Sequence, residues 1–169
     1  MLSHTPTQTL VVDTGPLLIH AFLAFGEGRY IQRVSGNVPT QDAVYVGRFI
    51  DEDLFSGARR IIVTPMVISE FQALAQSLTG FDRDYRAMFL REYSQRLIHL
   101  EYVSPAFDEL VRIKEERDLW RLSFTDTSLV LVAQERRATV LSMDLELIGR
   151  CTSMGILALH PYHLYLEAS

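Results

Sequence analysis

Apolar residues recur along the chain in two alternating rhythms. Short runs, TLVVD (9–13), RRIIVTP (59–65), ATVLS (138–142) and GILAL (155–159), have the length and composition of buried strands. Between them, apolar residues fall three and four apart, the spacing of one helix face. Val67, Phe71, Leu74 and Leu78 form one such face, and Tyr85, Met88, Phe89, Tyr93 and Leu97 form another. SPAFDELVRIKEERDLW reads as a packing helix with Ser104 as cap and Pro105 in the first turn. SFTDTSLVLVAQERR offers Thr125 as cap and Asp126 in the first turn, and Thr14 or Gly15 caps a helix after the first strand. Strands that alternate with helices predict an α/β fold of parallel strands joined by crossover helices.

One region breaks the rhythm. From Phe25 to Gly57 the stretch GEGRYIQRVSGNVPTQ has glycines and a proline without periodicity, and DAVYVGRFIDEDLF follows with Val46, Phe49, Ile50 and Leu54 at helical spacing. This reads as a mobile loop plus a helix inserted around residues 26–57 of a single domain spanning 1–169. No repeat or low-complexity tract is present.

Composition narrows the class. With 169 residues, 48% hydrophobic and 22% charged, the chain has enough apolar material for one globular core. Its single cysteine, Cys151, excludes an intrachain disulfide and fits a reducing cytoplasm. MLSHTPTQT lacks the basic and apolar parts of a signal peptide, and PLLIHAFLAF is too short to span a membrane. A soluble, cytoplasmic protein is expected. The net charge of −5 provides no general attraction for nucleic acid. Of the 16 basic residues only Lys114 is not arginine, which leaves open phosphate contact by planar guanidinium forks.

The candidate chemistry lies in four acids. Asp13, Glu70, Asp126 and Asp144 all fall at carboxyl ends of strands or in the helical turns that follow, where ligands bind in open α/β sheets. Carboxylates gathered at one end of a sheet repel one another, and raised pKa values or bound cations relieve the repulsion. Hard divalent metals suit such oxygen donors and phosphoryl chemistry. Plainer roles are available too: Asp13 as a helix cap, Glu70 and Asp126 as early-turn acids that complement a helix dipole; Asp144 taken alone is a weak signal.

Other chemistries fit less well. Asp13-Thr14-Gly15 matches the tripeptide of aspartic proteases, but it occurs once, is followed by Pro16 and sits among alternating helices and strands. An Asp-x-Asp phosphatase lacks its second acid because position 15 is glycine. A receiver domain needs an essential lysine, and Lys114 lies in a charged helix. No Gly-x-x-x-x-Gly-Lys phosphate loop occurs. His99, His160 and His163 have no metal-like spacing and read as surface or core residues.

Taken in order, VVDTGPLL, IIVTPMVISEFQAL, LSFTDTSLVLVA and TVLSMDLEL resemble the successive motifs of PIN-domain ribonucleases, and within that family VapC-like toxins of bacterial toxin–antitoxin pairs. The likeness runs from Thr9 to Leu159. It implies a Rossmann-like three-layer α/β/α sandwich with a central parallel sheet, and an acidic pocket for Mg2+ or Mn2+ formed by Asp13, Glu70, Asp126 and Asp144. Thr14 and Ser142 are then candidate polar helpers. The implied activity is hydrolysis of RNA phosphodiester bonds by a metal-activated water; the implied partners are RNA, an antitoxin protein and a second copy of the chain. The alternatives are a stand-alone RNA-processing nuclease, or an RNA-binding or regulatory module of the same fold that does not cleave. The insertion makes the chain longer than compact toxins of the family; Arg29, Arg33 and Arg48 in it are candidate RNA contacts, unless it is a tolerated surface addition. Leu147 replaces a phenylalanine common in the family, a difference expected to matter only for packing.

Overall fold

The structure, a computed structural model, describes residues 8–26, 38–39, 41–77 and 83–169. Five parallel strands, β1 (Thr9–Val12), β2 (Arg60–Val63), β3 (Glu101–Tyr102), β4 (Thr139–Leu141) and β5 (Ala158–Leu159), form one sheet in the order β3-β2-β1-β4-β5. Helices flank it, giving the α/β sandwich expected from the alternation. β1 is central: Val11 stands opposite Ile62 of β2 and Val140 of β4, and all four β1 residues except Thr9 are buried. From β1 the chain builds outward through β2 to β3, then returns to the other side of β1 for β4 and β5. The switch point between β1 and β4 is therefore the place where crossovers diverge, and in open α/β sheets ligands bind at the carboxyl ends of the strands there.

Each helix follows from its buried stripe. α1 (Thr14–Ala24) is nearly all apolar and buried. The insertion helix α2 (Ala43–Phe49) continues as a π-helical segment (Ile50–Phe55), and Val46, Phe49, Ile50 and Leu54 are all buried, as their spacing predicts. α3 (Pro65–Ser77) buries Val67 and Phe71, while Leu74 is exposed and Leu78 lies outside the described residues. α4 (Arg83–Leu97) buries Phe89, Tyr93 and Leu97. α5 (Phe107–Glu116) and α6 (Phe124–Arg136) follow, then α7 (Leu145–Ser153) and α8 (Pro161–Ala168). α6 is buried without interruption from Thr127 to Ala133, packed against β1, α3 and α5. Leu147 of α7 and Cys151 are fully buried packing residues. No described helix is long and apolar enough to cross a membrane.

The helical part of the 26–57 region belongs to the core. α2 packs on α1 and α8, where the Tyr162 hydroxyl donates to Asp42 at 3.0 Å. His20 of α1 bonds Tyr93 of α4 through Nδ1 at 2.8 Å and Asp51 of the π-helical segment through Nε2 at 3.0 Å. The loop expected ahead of this helix falls largely outside the described residues, as do Arg29 and Arg33; Arg48 is exposed on α2.

The structure differs from the sequence pattern at several ends. β3 and α8 were not expected. Of the caps offered for α1, Asp13 takes the role and Thr14 and Gly15 do not; Ser123, not Thr125, caps α6; Ala106, not Ser104, precedes α5. At α5 the Glu109 carboxylate accepts from the Ala106 amide at 3.0 Å, so a side chain from inside the helix replaces the expected hydroxyl cap.

Candidate functional site

Asp13 is the centre. It leaves β1 at the switch point, and its amide donates to the Leu141 carbonyl of β4 at 3.0 Å, which prolongs the strand pairing by one residue. The carboxylate is buried, 9% exposed, and both its oxygens are engaged. Oδ1 accepts the Thr14 amide at 2.6 Å; Oδ2 accepts the Ser142 hydroxyl at 2.6 Å. Ser142, fully buried just past β4, in turn accepts the Asp144 amide at 2.9 Å. That amide has no alternative but to donate, so the hydroxyl proton points at Asp13.

Burial is what lifts the Asp13 carboxyl from its ordinary value of 3.8 to about 6; the bonds from Ser142 and Thr14 oppose the rise, and the charges of Asp126 and Glu70 add to it. The site thus combines desolvation with like charge at one carboxylate, the pattern typical of functional sites.

The other three acids are placed unequally. Glu70, exposed in the second turn of α3, accepts the Thr14 hydroxyl at 3.0 Å through Oε2. Thr14 therefore holds two carboxylates, one by its amide and one by its side chain. Asp126, half-buried at the third position of α6, accepts the Ser123 amide at 3.1 Å and hydroxyl at 2.7 Å through Oδ2, a reciprocal capping box. Asp144 is exposed and caps α7, its Oδ1 accepting the Glu146 and Leu147 amides at 2.7 and 3.3 Å. The structure brings the charges of Glu70 and Asp126 to bear on Asp13, and it links the Asp144 backbone to Asp13 through Ser142.

Supporting residues hold this frame. The Thr64 hydroxyl at the end of β2 pairs with Ser128 at 2.9 Å, and Ser128 donates to the Thr125 carbonyl at 2.6 Å, tying the first turn of α6 to the sheet. A Cβ on Gly15 would meet Met143 Cγ at 3.1 Å, so α1 and the β4–α7 turn approach closely there. Lys114, expected in a charged helix, is instead buried; it donates to the Leu122 carbonyl and to Thr127 Oγ1 at 3.3 Å. Burial lowers its pKa while the Asp126 charge opposes this. Of the histidines expected at surface or core, His99 and His163 are exposed and His160 is buried.

A divalent cation fits these residues in kind: the donors are hard oxygens, and the charges of Asp126 and Glu70 act on Asp13 in the direction a bound cation would offset. The acids nonetheless stand apart, and among the described residues no three Asp, Glu, His or Cys side chains are grouped to hold an ion.

The fold has a solved counterpart. The chain is similar to the crystal structure of PAE2754 from Pyrobaculum aerophilum, with a TM-score of 0.56 over 95% of this chain and 96% of that one, at 17% identity. At that identity the likeness is one of fold. No protein-family model and no curated protein matches the chain in sequence.

Proposed function

We propose that the chain is a PIN-like, metal-dependent ribonuclease that hydrolyses RNA phosphodiester bonds. The observation that carries this reading is a buried carboxylate at the switch point, Asp13, whose pKa is raised by burial and by the charges of Asp126 and Glu70. Mg2+ or Mn2+, when bound, would offset that charge and supply Lewis-acid activation of water and phosphate. Asp13, Glu70 and Asp126 would hold it. Ser142 and the Thr14 amide keep Asp13 oriented and favour its ionised form, Thr14 Oγ1 orients Glu70, and Ser123 orients Asp126. Asp144 contributes by fixing Ser142 and capping α7.

The experiment is cleavage of end-labelled single-stranded RNA by the purified chain. Cleavage with manganese or magnesium, lost in excess EDTA and in Asp13→Asn, supports the reading; undiminished cleavage in EDTA, or equal cleavage by Asp13→Asn, overturns it. We place the enzyme as the toxin of a toxin–antitoxin pair, with an antitoxin protein and a second copy of the chain as its partners. Growth arrest on expression alone, relieved by Asp13→Asn at matched levels, tests that setting.

A further inference from the structure

Beside the carboxylates the surface turns aromatic. Phe107 at the start of α5, Trp120 in the turn before α6 and Phe124 at the first position of α6 are 65%, 55% and 38% exposed. The Phe107 and Phe124 rings lie 5.2 Å apart, centroid to centroid. The Lys114 ammonium is 4.8 Å from the Phe124 centroid and 5.6 Å from that of Trp120. One buried cation thus secures the Phe124 and Trp120 rings by cation–π contact, and Phe107 leans on Phe124. Large aromatic side chains grouped in water mark a binding surface rather than a packing one.

The position of the cluster narrows its occupant. Phe124 lies two residues before Asp126, whose charge acts on both Lys114 and Asp13. Arg121, also exposed, adjoins Trp120 in the chain. Rings for base faces, a guanidinium for phosphate and the Asp126 carboxylate two residues beyond Phe124 form a sequence suited to a nucleic-acid strand. We infer that Phe107, Trp120 and Phe124 are a stacking platform for the bases of single-stranded RNA, leading the strand toward Asp126 and Asp13. The choice of RNA as ligand rests on the ribonuclease reading; the stacking itself does not require cleavage. A duplex, whose bases are already stacked, is a poor ligand for such a platform.

Trp120 is the only tryptophan in the chain, so its fluorescence reports on the platform directly. The full chain, in EDTA to prevent turnover, is titrated with a single-stranded oligoadenylate, with an abasic strand of the same length and with the duplex form. Saturable quenching by the oligoadenylate, and weak binding of the abasic strand and the duplex, are expected. Phe124→Leu and Phe107→Leu, each checked for an unchanged melting temperature, should raise the oligoadenylate Kd about tenfold, the factor that about 1.4 kcal/mol of lost stacking corresponds to. Binding without quenching, or equal affinity for the abasic strand, overturns the platform. A fluorescence change that follows protein concentration and not RNA also overturns it and assigns the patch to contact between copies of the chain. Quenching without manganese-dependent cleavage removes the nuclease and keeps the platform; cleavage without quenching does the reverse.

Discussion

The Ser142 hydroxyl donates to Asp13 Oδ2 at 2.6 Å, joining the carboxyl ends of β1 and β4 at the sheet's switch point. A hydrogen bond to the charged form lowers a carboxyl pKa. Ser142→Ala should therefore raise the Asp13 pKa beyond about 6, and it leaves the Asp144 amide without its acceptor. The expected destabilisation is about 1.5–3 kcal/mol, as for a bond to a charged group. Carbon-detected NMR titration of Asp13 and urea denaturation check both parts; an unchanged titration midpoint contradicts the assignment.

Asp13 also ties stability to pH. Its folded-state pKa of about 6 exceeds the ordinary 3.8, so below pH 3.8 both states hold the proton and the carboxyl imposes no burden. As pH rises from about 4 through 6 the unfolded chain loses the proton first, and stability is lost across that window. The burden amounts to about 3 kcal/mol at neutral pH. Asp13→Asn carries no such term. In EDTA its stability relative to the native chain should rise by about that amount between pH 4 and pH 7.5, then level off. Parallel curves from urea denaturation would show that Asp13 is not desolvated as described.

Tyr93 backs His20, whose other ring nitrogen bonds Asp51 of the π-helical segment. Its hydroxyl lies 2.8 Å from His20 Nδ1 and 3.2 Å from the Leu17 carbonyl. Burial lowers the His20 pKa, with Asp51 opposing, so the imidazole favours its neutral form. Tyr93→Phe removes the shared hydroxyl and should cost about 1–1.5 kcal/mol. Hydrogen exchange should then speed up in the helical segment from Ala43 to Phe55 relative to the sheet. Uniform acceleration throughout would mean that the contact does not fasten this segment in particular.

These relationships differ in how far the sequence discloses them. The apolar runs before Asp13 and around Val140 announce a doubly buried parallel sheet, and the stripe from Val46 to Leu54 announces the helix it forms. β3 escapes because two residues, Glu101 and Tyr102, carry no period; pairing with β2 alone makes them a strand. Ser123 is legible: Ser-x-x-Asp ending at Asp126 is a capping box, a stronger start signal than the Thr125 hydroxyl inside the first turn. Lys114 was legible too, since Leu110, Ile113 and Lys114 share the buried face of α5. Thr64 and Ser128 were not, because a hydroxyl pair linking a strand end to a distant helix has no local signature. The sequence brings four acids to one end of the sheet, yet only side-chain geometry separates Asp144, occupied as a cap, from the charges that act on Asp13.

Manganese-linked melting of the native chain beside Glu70→Gln tests the proposed cation site most directly. Glutamine keeps an acceptor for the Thr14 hydroxyl, so the substitution removes a charge and little else. In EDTA the variant should melt at or above the native chain, because one repulsion on Asp13 is gone. A metal that binds only the folded state adds about 2.7 kcal/mol at a hundredfold its Kd. The native melting temperature should accordingly climb with manganese and that of the variant should climb less. A native chain whose melting temperature ignores millimolar manganese, or a variant that responds as fully as the native chain, would contradict a site built on Asp13, Glu70 and Asp126.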